Sequence, residues 1–205
     1  MNFANLTVAE IARRLEMASV RPDCMHSADF SIPPGMLQGD TSPAAVLMPL
    51  VMIEDAWNLL YIRRTEDNSA HSGQVAFPGG RMEPVDRSPY EAALREAEEE
   101  IGLAPADVKV LGRLHEFLTI SNYCVTPIVG VMPWPYPLRT QPQEVKRCFT
   151  IPLSWLADPT NRREEQRVLP HPYSPISVIF FQPYNGEILW GASARFTLTL
   201  LEILK

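Results

Sequence analysis

The sequence predicts an α+β or αβα layered domain, and three observations carry that prediction. Apolar runs of strand length recur from Ala44 to Trp190, and most are separated by short turn signals. Amphipathic helical spacing is confined to three places: near the N-terminus, in the middle of the chain and at its end. The 20 prolines fall mostly in the polar stretches between these segments, where they punctuate loops.

The elements follow in order. NLTVAEIARRLEMA (5–18) starts on Thr7 and spaces Val8, Ile11, Leu15 and Met17 as a short amphipathic helix. Residues 21–43 mix Pro, Asp, Gly and Ser without periodicity and read as a loop or arm. Two apolar runs between Ala44 and Arg64 flank Glu54-Asp55, a turn between strands. EDNSAHSG (66–73) is a polar loop, and QVAFPGG (74–80) is a short strand ending in a Pro-Gly-Gly bend. A helix then spans Ser88 to Gly102. Residues 108–120 and 123–133 read as strands joined through Ser121-Asn122, and 133–143 is a Pro-rich loop. VKRCFTIPLSWLAD (145–158) begins extended and ends in a helical turn. Residues 174–191 form a hairpin with Asn185-Gly186 at its turn, and 192–205 close the chain as an amphipathic helix.

A chain of 205 residues suits one domain, read as 1–205 with residues 1–43 as an N-terminal helix and arm. Hydrophobic content of 46% and charged content of 20% are those of a soluble globular protein. The net charge of −6 argues against nucleic acid and anionic membranes as partners. An anionic substrate stays open, because a metal can invert the local field. The N-terminus lacks the pattern of a signal peptide, and no run is long and apolar enough to span a membrane. Cys24, Cys124 and Cys148 form no CxxC pair and no disulfide framework, so a cytoplasmic location is expected. A homodimer is an open expectation, with residues 21–43 and 134–143 as lids, arms or dimer contacts.

The central helix carries the chemistry. Ser88, Pro89 and Glu91 fit a capping box, and Gly102 fits a left-handed terminator. Tyr90, Ala93, Leu94, Ala97 and Ile101 share the face expected to be buried. At about 100° per residue, Glu96, Glu99 and Glu100 fall within an arc of about 100°, while Glu98 points about 160° from Glu96. Acids in a last turn oppose the helix dipole by ~0.3–1 kcal/mol. The like-charged Glu96–Glu100 pair costs a further ~0.2–0.5 kcal/mol. A charge run is ordinarily a solvated face. This one sits at the unfavourable helix end, directly after a Gly-Gly bend. A hard divalent cation, which takes oxygen ligands, would relieve the repulsion.

These residues resemble the Nudix box: Gly, five residues, Glu, seven residues, Arg-Glu, an apolar residue, any residue, Glu-Glu, any residue, Gly, an apolar residue. Gly80, Arg95, Glu96, Ala97, Glu99, Glu100, Gly102 and Leu103 fill their places. Asp86 stands where the pattern has its first Glu, one residue too far from Arg95. Leu59, Leu60, Arg63, Gly73, Phe77, Pro78, Gly79 and Gly80 resemble the upstream signature of the coenzyme A diphosphatase (pyrophosphatase) subgroup. Val125–Pro133 and Glu187–Arg195 resemble its later segments. The loop from Thr65 to Gly73 lacks the Arg that the subgroup carries there, with Asn68 or Ser69 nearby and Arg64 in place of the subgroup's Ser.

The resemblance implies a Nudix fold, a mixed β-sheet sandwiched between α-helices. It implies a hydrolase that uses Mg2+ or Mn2+ to direct water at a diphosphate. Glu96, Glu99 and Glu100 are the implied metal ligands, with Gly80 (or Gly79) lending a peptide carbonyl. Arg95 orients Glu96 or braces the loop, and Glu96 or Glu144 is the general base. Arg63, Arg64, His71 and Phe77 are the expected substrate contacts. The leading expectation is hydrolysis of coenzyme A or its derivatives to 3',5'-ADP and 4'-phosphopantetheine. The absent loop Arg favours a second, hydrolysis of ADP-ribose or another nucleoside diphosphate derivative. A noncatalytic Nudix-fold binding module is the third, and the intact glutamate triad argues against it.

Overall fold

The computed structural model describes residues 3, 5–18, 32, 33, 36, 37, 39–66 and 72–205. Glu54 and Asp55 both take left-handed backbone conformations (φ 47° and 61°), reversing the chain between β1 (Ser42–Ile53) and β2 (Ala56–Arg64). Such a turn matches the twist of the strands it joins. The two strands pair only at the turn end, from Ile53 opposite Ala56 to Leu50 opposite Leu59. Beyond that they diverge, and the segment after the polar loop fills the gap. β3 (Val75–Ala76) pairs with β2, and β4 (Gly79–Arg81) pairs with β1.

β5 (Lys109–Arg113), β6 (Phe117–Leu118), β7 (Tyr123–Val131) and β8 (Val145–Pro152) complete a sheet of eight strands. β7 runs parallel to β1, from Tyr123 opposite Ser42 to Val131 opposite Leu50, while the other pairings are antiparallel. The sheet is therefore mixed.

Side chains alternate across a strand, so the apolar strands β1 and β2 serve two cores. Ala45, Leu47, Val51, Leu60 and Ile62 face α2 (Pro89–Ile101). Ala92, Ala93 and Ala97 are fully buried there, and their small size lets α2 approach the sheet closely. Met48, Leu50, Leu59 and Tyr61 face the other layer, made by α1 (Val8–Ala18), α3 (Leu153–Ala157) and α4 (Gly191–Ile203). Tyr61 and Thr197 of α4 share a buried hydroxyl hydrogen bond of 2.8 Å. β9 (Arg162–Arg167) and β10 (Ile176–Phe181) form a separate antiparallel ribbon. The layered α+β architecture of a mixed sheet between helices is the one expected.

Several expectations are corrected. Tyr90 is 37% exposed, and Ala92 takes its place on the buried face of α2. Residues 162–167, RREEQR, lack strand periodicity but pair with β10. Cys148 is a free thiol, whereas Cys124 is disulfide-bonded. Cys124 therefore departs from the expectation of no disulfide framework. Cys24 and most of residues 19–38 lie outside the described residues.

Candidate active site

Helix α2 is tied at both ends. The Ser88 hydroxyl accepts the Glu91 amide at 3.3 Å, as an N-cap does. The Glu91 carboxylate returns to the amide of Arg87 at 2.8 Å rather than to that of Ser88, shifting the expected box by one residue. At the other end Gly102 is left-handed (φ 67°). Its amide reaches the Glu98 carbonyl at 2.9 Å, and the Leu103 amide reaches the Ala97 carbonyl at 3.3 Å. The amides of Arg139 and Gln141, in the Pro-rich loop, donate to the carbonyls of Ile101 (2.9 Å) and Glu100 (2.8 Å). The carbonyl end that three glutamates must share is thus largely occupied by donors.

The glutamates of this last turn differ sharply. Glu100 is 2% exposed. One carboxylate oxygen accepts the Gly79 amide at 3.0 Å, and the other lies 3.7 Å from Arg64 Nη1. Burial pushes its pKa up to about 8, against the lowering effects of the Gly79 amide and Arg64. Glu96 is mostly buried, and desolvation raises its pKa while Arg95 works to lower it. Glu144, an exposed residue just before β8, adds a repulsive field that raises both Glu96 and Glu100. Glu99 is an exposed side chain and Glu98 is exposed as expected.

Arg95 is the hub. Its guanidinium grips Asp86 with two bonds, Nε to Oδ1 at 3.0 Å and Nη2 to Oδ2 at 2.9 Å. It also donates to Glu96 at 2.9 Å, Glu99 at 3.2 Å and the Arg81 carbonyl at 3.2 Å. Asp86, with a side chain 3% exposed, is held below the usual carboxylate range chiefly by Arg95, helped by the Glu83 amide. The extra residue between Asp86 and Arg95 is absorbed by the loop, and the two side chains still meet.

Gly80 sits where no side chain fits. A Cβ there would lie 2.7 Å from the Glu96 carboxyl carbon. The bare backbone of β4 therefore brings its peptide groups against Glu96 and Glu100. Among the described residues no three His, Cys, Asp or Glu groups are gathered closely enough to hold a metal by themselves. The donor set is nonetheless all oxygen, partly desolvated and apposed to a side-chain-free strand. That suits a hard cation held by one or two carboxylates together with a substrate phosphate.

On the opposite side of Gly79 and Gly80 opens a cleft of about 580 Å³. Its floor crosses β4, β1 and β7 at Gly80, Val46 and Val125. Its far wall is β10 and the start of α4, with Ile179, Trp190 and Phe196. The three glutamates lie behind the Gly-Gly strand and do not line it.

The sequence-predicted residues separate accordingly. Glu96, Glu99, Glu100, Arg95 and Gly80 come together, with Glu144 close enough to act electrostatically. Arg64 lies on the α2 face of β2, facing Glu100 and bordering the cleft. Arg63 does not line the cleft; it points to the other face and pairs with Glu187 at 3.0 Å. Phe77 borders the cleft but is 2% exposed and stacks on Tyr61, with ring centres 4.6 Å apart. His71 lies outside the described residues. Sequence reasoning gave Asp86 no firm role and passed over Glu187, a buried acid that binds both Arg63 and Arg147.

The sequence matches the NUDIX domain model over residues 41–172. It is 36% identical over 170 residues to the uncharacterized Nudix hydrolase NudL of Photorhabdus laumondii subsp. laumondii, covering 79% of this chain and 84% of that one. It is 33% identical over 189 residues to NudL of Yersinia pestis, covering 91% and 89%. A Nudix hydrolase from M. smegmatis, RenU, shares the fold with a TM-score of 0.51 at 19% identity, covering 81% of this chain and 88% of that one.

Proposed function

We propose, from the premise that this chain belongs to the Nudix hydrolase family, that it hydrolyses the diphosphate bond of coenzyme A or its derivatives. Membership makes it a hydrolase of diphosphate linkages in nucleoside diphosphate derivatives, and such hydrolases generally use divalent metal ions. The observation that carries the finer reading is a convergence. Three stretches resembling the coenzyme A diphosphatases, around Gln74–Gly80, Val125 and Trp190–Arg195, meet on one cleft beside the glutamate helix.

In this reading Glu96, Glu99, Glu100 and the peptide carbonyl of Gly80 hold Mg2+ or Mn2+. The bound ion supplies charge neutralisation for the diphosphate oxygens and a water of lowered pKa. The protein supplies positioning, on which phosphoryl transfer chiefly depends. Arg95, itself fixed by Asp86, holds Glu96 in place and keeps Glu99 within reach. Glu99 is exposed, and a surface ion pair of that kind is worth ~0–1 kcal/mol, so it leaves Arg95 at little cost. Arg64, 3.7 Å from Glu100 and at the border of the cleft, faces the anionic substrate. Glu96 or Glu144 accepts the proton of the attacking water.

The test is a hydrolysis panel with the purified protein and Mg2+ or Mn2+, products being identified by mass. It holds coenzyme A, acetyl-coenzyme A, ADP-ribose, NADH, diadenosine polyphosphates and nucleoside triphosphates. Release of 3',5'-ADP from coenzyme A well ahead of other products is expected. Preference for ADP-ribose would keep the family chemistry and reject the coenzyme A reading. The second reading stays in view because the loop lacks the subgroup's Arg.

A further inference from the structure

We infer that Glu187 is a positioning residue for the far wall of the cleft, and through that wall for substrate binding: with Arg63 and Arg147 it fixes the wall to the sheet that carries the floor. The inference rests on the reading of this cleft as the substrate site and goes beyond it, because Glu187 does not itself line the cleft. The starting observation is a buried anion that the proposed chemistry does not use. Glu187 is 6% exposed, and both of its carboxylate oxygens are occupied. Oε2 accepts Arg63 Nη1 at 3.0 Å, and Oε1 accepts Arg147 Nε and Nη2 at 2.9 and 2.6 Å. Charge-assisted, forked contacts of this kind are strong and fix orientation as well as distance.

The two arginines stand opposite each other on β2 and β8. Arg63 precedes Arg64, which borders the cleft beside Glu100, and pairs with Val75, which borders it too. The acid stands in the hairpin that leads into the far wall. Asn185 and Gly186 are both left-handed (φ 49° and 83°), and Tyr184 and Glu187 exchange two backbone hydrogen bonds across them, at 2.9 and 3.0 Å. Glu187 is thus held at the base of a tight two-residue turn. The ladder continues from there. The Phe181 amide donates to the Leu189 carbonyl at 2.8 Å, and the Trp190 and Phe180 rings stack parallel with centres 5.4 Å apart. Trp190, Gly191, Ala192 and Ser193 then line the cleft.

Among the described residues no strand pairing joins the β9–β10 ribbon to the large sheet. Helix α4 docks through Thr197 on Tyr61 and through Phe196 on Phe117, but Gly191, left-handed at φ 63°, stands between Trp190 and those residues. Docking of the helix therefore does not by itself set the indole. The Arg63–Glu187–Arg147 bridge spans that gap, three residues before Trp190. It also joins two stretches that the sequence singled out separately, the one holding Arg63 and the one beginning at Glu187. Without the carboxylate, two guanidinium groups face each other with no shared anion, and the wall loses its tie to the sheet.

The experiment separates positioning from stability. A substitution that only lowers the folded fraction lowers apparent kcat and leaves KM unchanged, whereas one that displaces the wall raises KM. Wild type, Glu187→Gln and Glu187→Asp are assayed on the best substrate of the panel, at a temperature where circular dichroism shows each folded. A charge-assisted contact is worth about tenfold or more. We expect KM about tenfold higher for Glu187→Gln with kcat within about twofold of wild type, and part of the loss restored by Glu187→Asp. Arg147→Gln, which removes the more exposed partner (47% against 27%), takes its place if Glu187→Gln does not fold. A second readout needs no substrate. The indole N–H resonance of Trp190, assigned by comparison with Trp190→Phe, is expected to shift in Glu187→Gln and to return toward its wild-type position in Glu187→Asp. A Trp190 resonance that stays in place, or a fall in kcat at unchanged KM, overturns the inference. Turnover of no panel substrate by the wild type would instead reject the diphosphate reading, and the Trp190 resonance alone would then decide the role of Glu187.

Discussion

Arg95 and Asp86 form a two-pronged ion pair across nine residues of chain, and the same guanidinium holds Glu96. The fork geometry is what Arg provides and Lys does not. Asp86→Ala is expected to lower kcat ~10- to 100-fold with a smaller effect on KM, because it loosens a group that orients Glu96. Asp86→Glu is expected to keep more of the activity, since it keeps the acceptor. Steady-state kinetics on the best panel substrate decide it, and equal kcat for Asp86→Ala and wild type would remove the bracing role.

Gly80→Ala places a methyl group 2.7 Å from the Glu96 carboxyl carbon. The obstacle is the end of a side chain, so Glu96 moves and the fold survives. The expected result is a kcat loss of ~100-fold or more with an unchanged far-ultraviolet circular dichroism spectrum. A fully active Gly80→Ala enzyme would show that Glu96 need not lie against the strand.

Glu96→Gln keeps the shape of the side chain and removes its charge. Turnover is expected to fall by ~10³-fold or more while the protein stays folded. Chelation of divalent ions is expected to abolish wild-type activity, with recovery on adding Mg2+ or Mn2+. Metal-independent turnover, or an unaffected Glu96→Gln variant, would sink the ligand assignment.

Glu100 sets a pH dependence of stability. Its folded-state pKa, about 8, is raised above its unfolded value, so the folded state binds the proton more tightly. In the metal-free protein stability is therefore retained below pH ~4.5 and lost progressively as pH rises toward 8, at about 1.4 kcal/mol per unit of displacement. Thermal melts in chelator from pH 5 to 8.5 are expected to show this decline, and Glu100→Gln is expected to flatten it. A melting temperature that rises over this interval in the wild type, with the same rise in Glu100→Gln, would contradict the assignment.

Glu187 bonds Arg63 at 3.0 Å and Arg147 at 2.9 and 2.6 Å, joining β2, β8 and the hairpin before α4. Glu187→Gln leaves two neighbouring guanidinium groups without their shared anion. A loss of ~1–3 kcal/mol is expected in urea unfolding. No loss would mean that solvent already carries those charges.

The sequence shows the site's position more clearly than its internal arrangement. The glutamate spacing and the Gly-Gly bend are local patterns, and helical geometry alone places Glu96, Glu99 and Glu100 on one arc. The burial of Glu100 was within reach, since it stands three residues after Ala97 and one before Ile101, both buried. Which of Arg63 and Arg64 faces the glutamates was not. Adjacent residues on a strand point to opposite faces, and only the register of β2 against its neighbours settles the parity. Asp86 was obscured because the motif's spacing counts residues, whereas the ion pair needs only that the loop return its carboxylate to Arg95. The ribbon strand RREEQR is charged on both faces, so alternation gave no signal; its partner β10 makes it a strand.

The amides of Arg139 and Gln141 are bonded to the carbonyls of the two residues that end the glutamate helix. They lie about forty positions downstream of it, in a loop with no acid of its own between Pro133 and Gln143. Those two N–H groups are natural spectroscopic reporters of the glutamate turn. Their solvent exchange rates and chemical shifts respond to any displacement of Glu100, so ion and ligand titrations can be followed there by nuclear magnetic resonance without labelling or altering a single site residue.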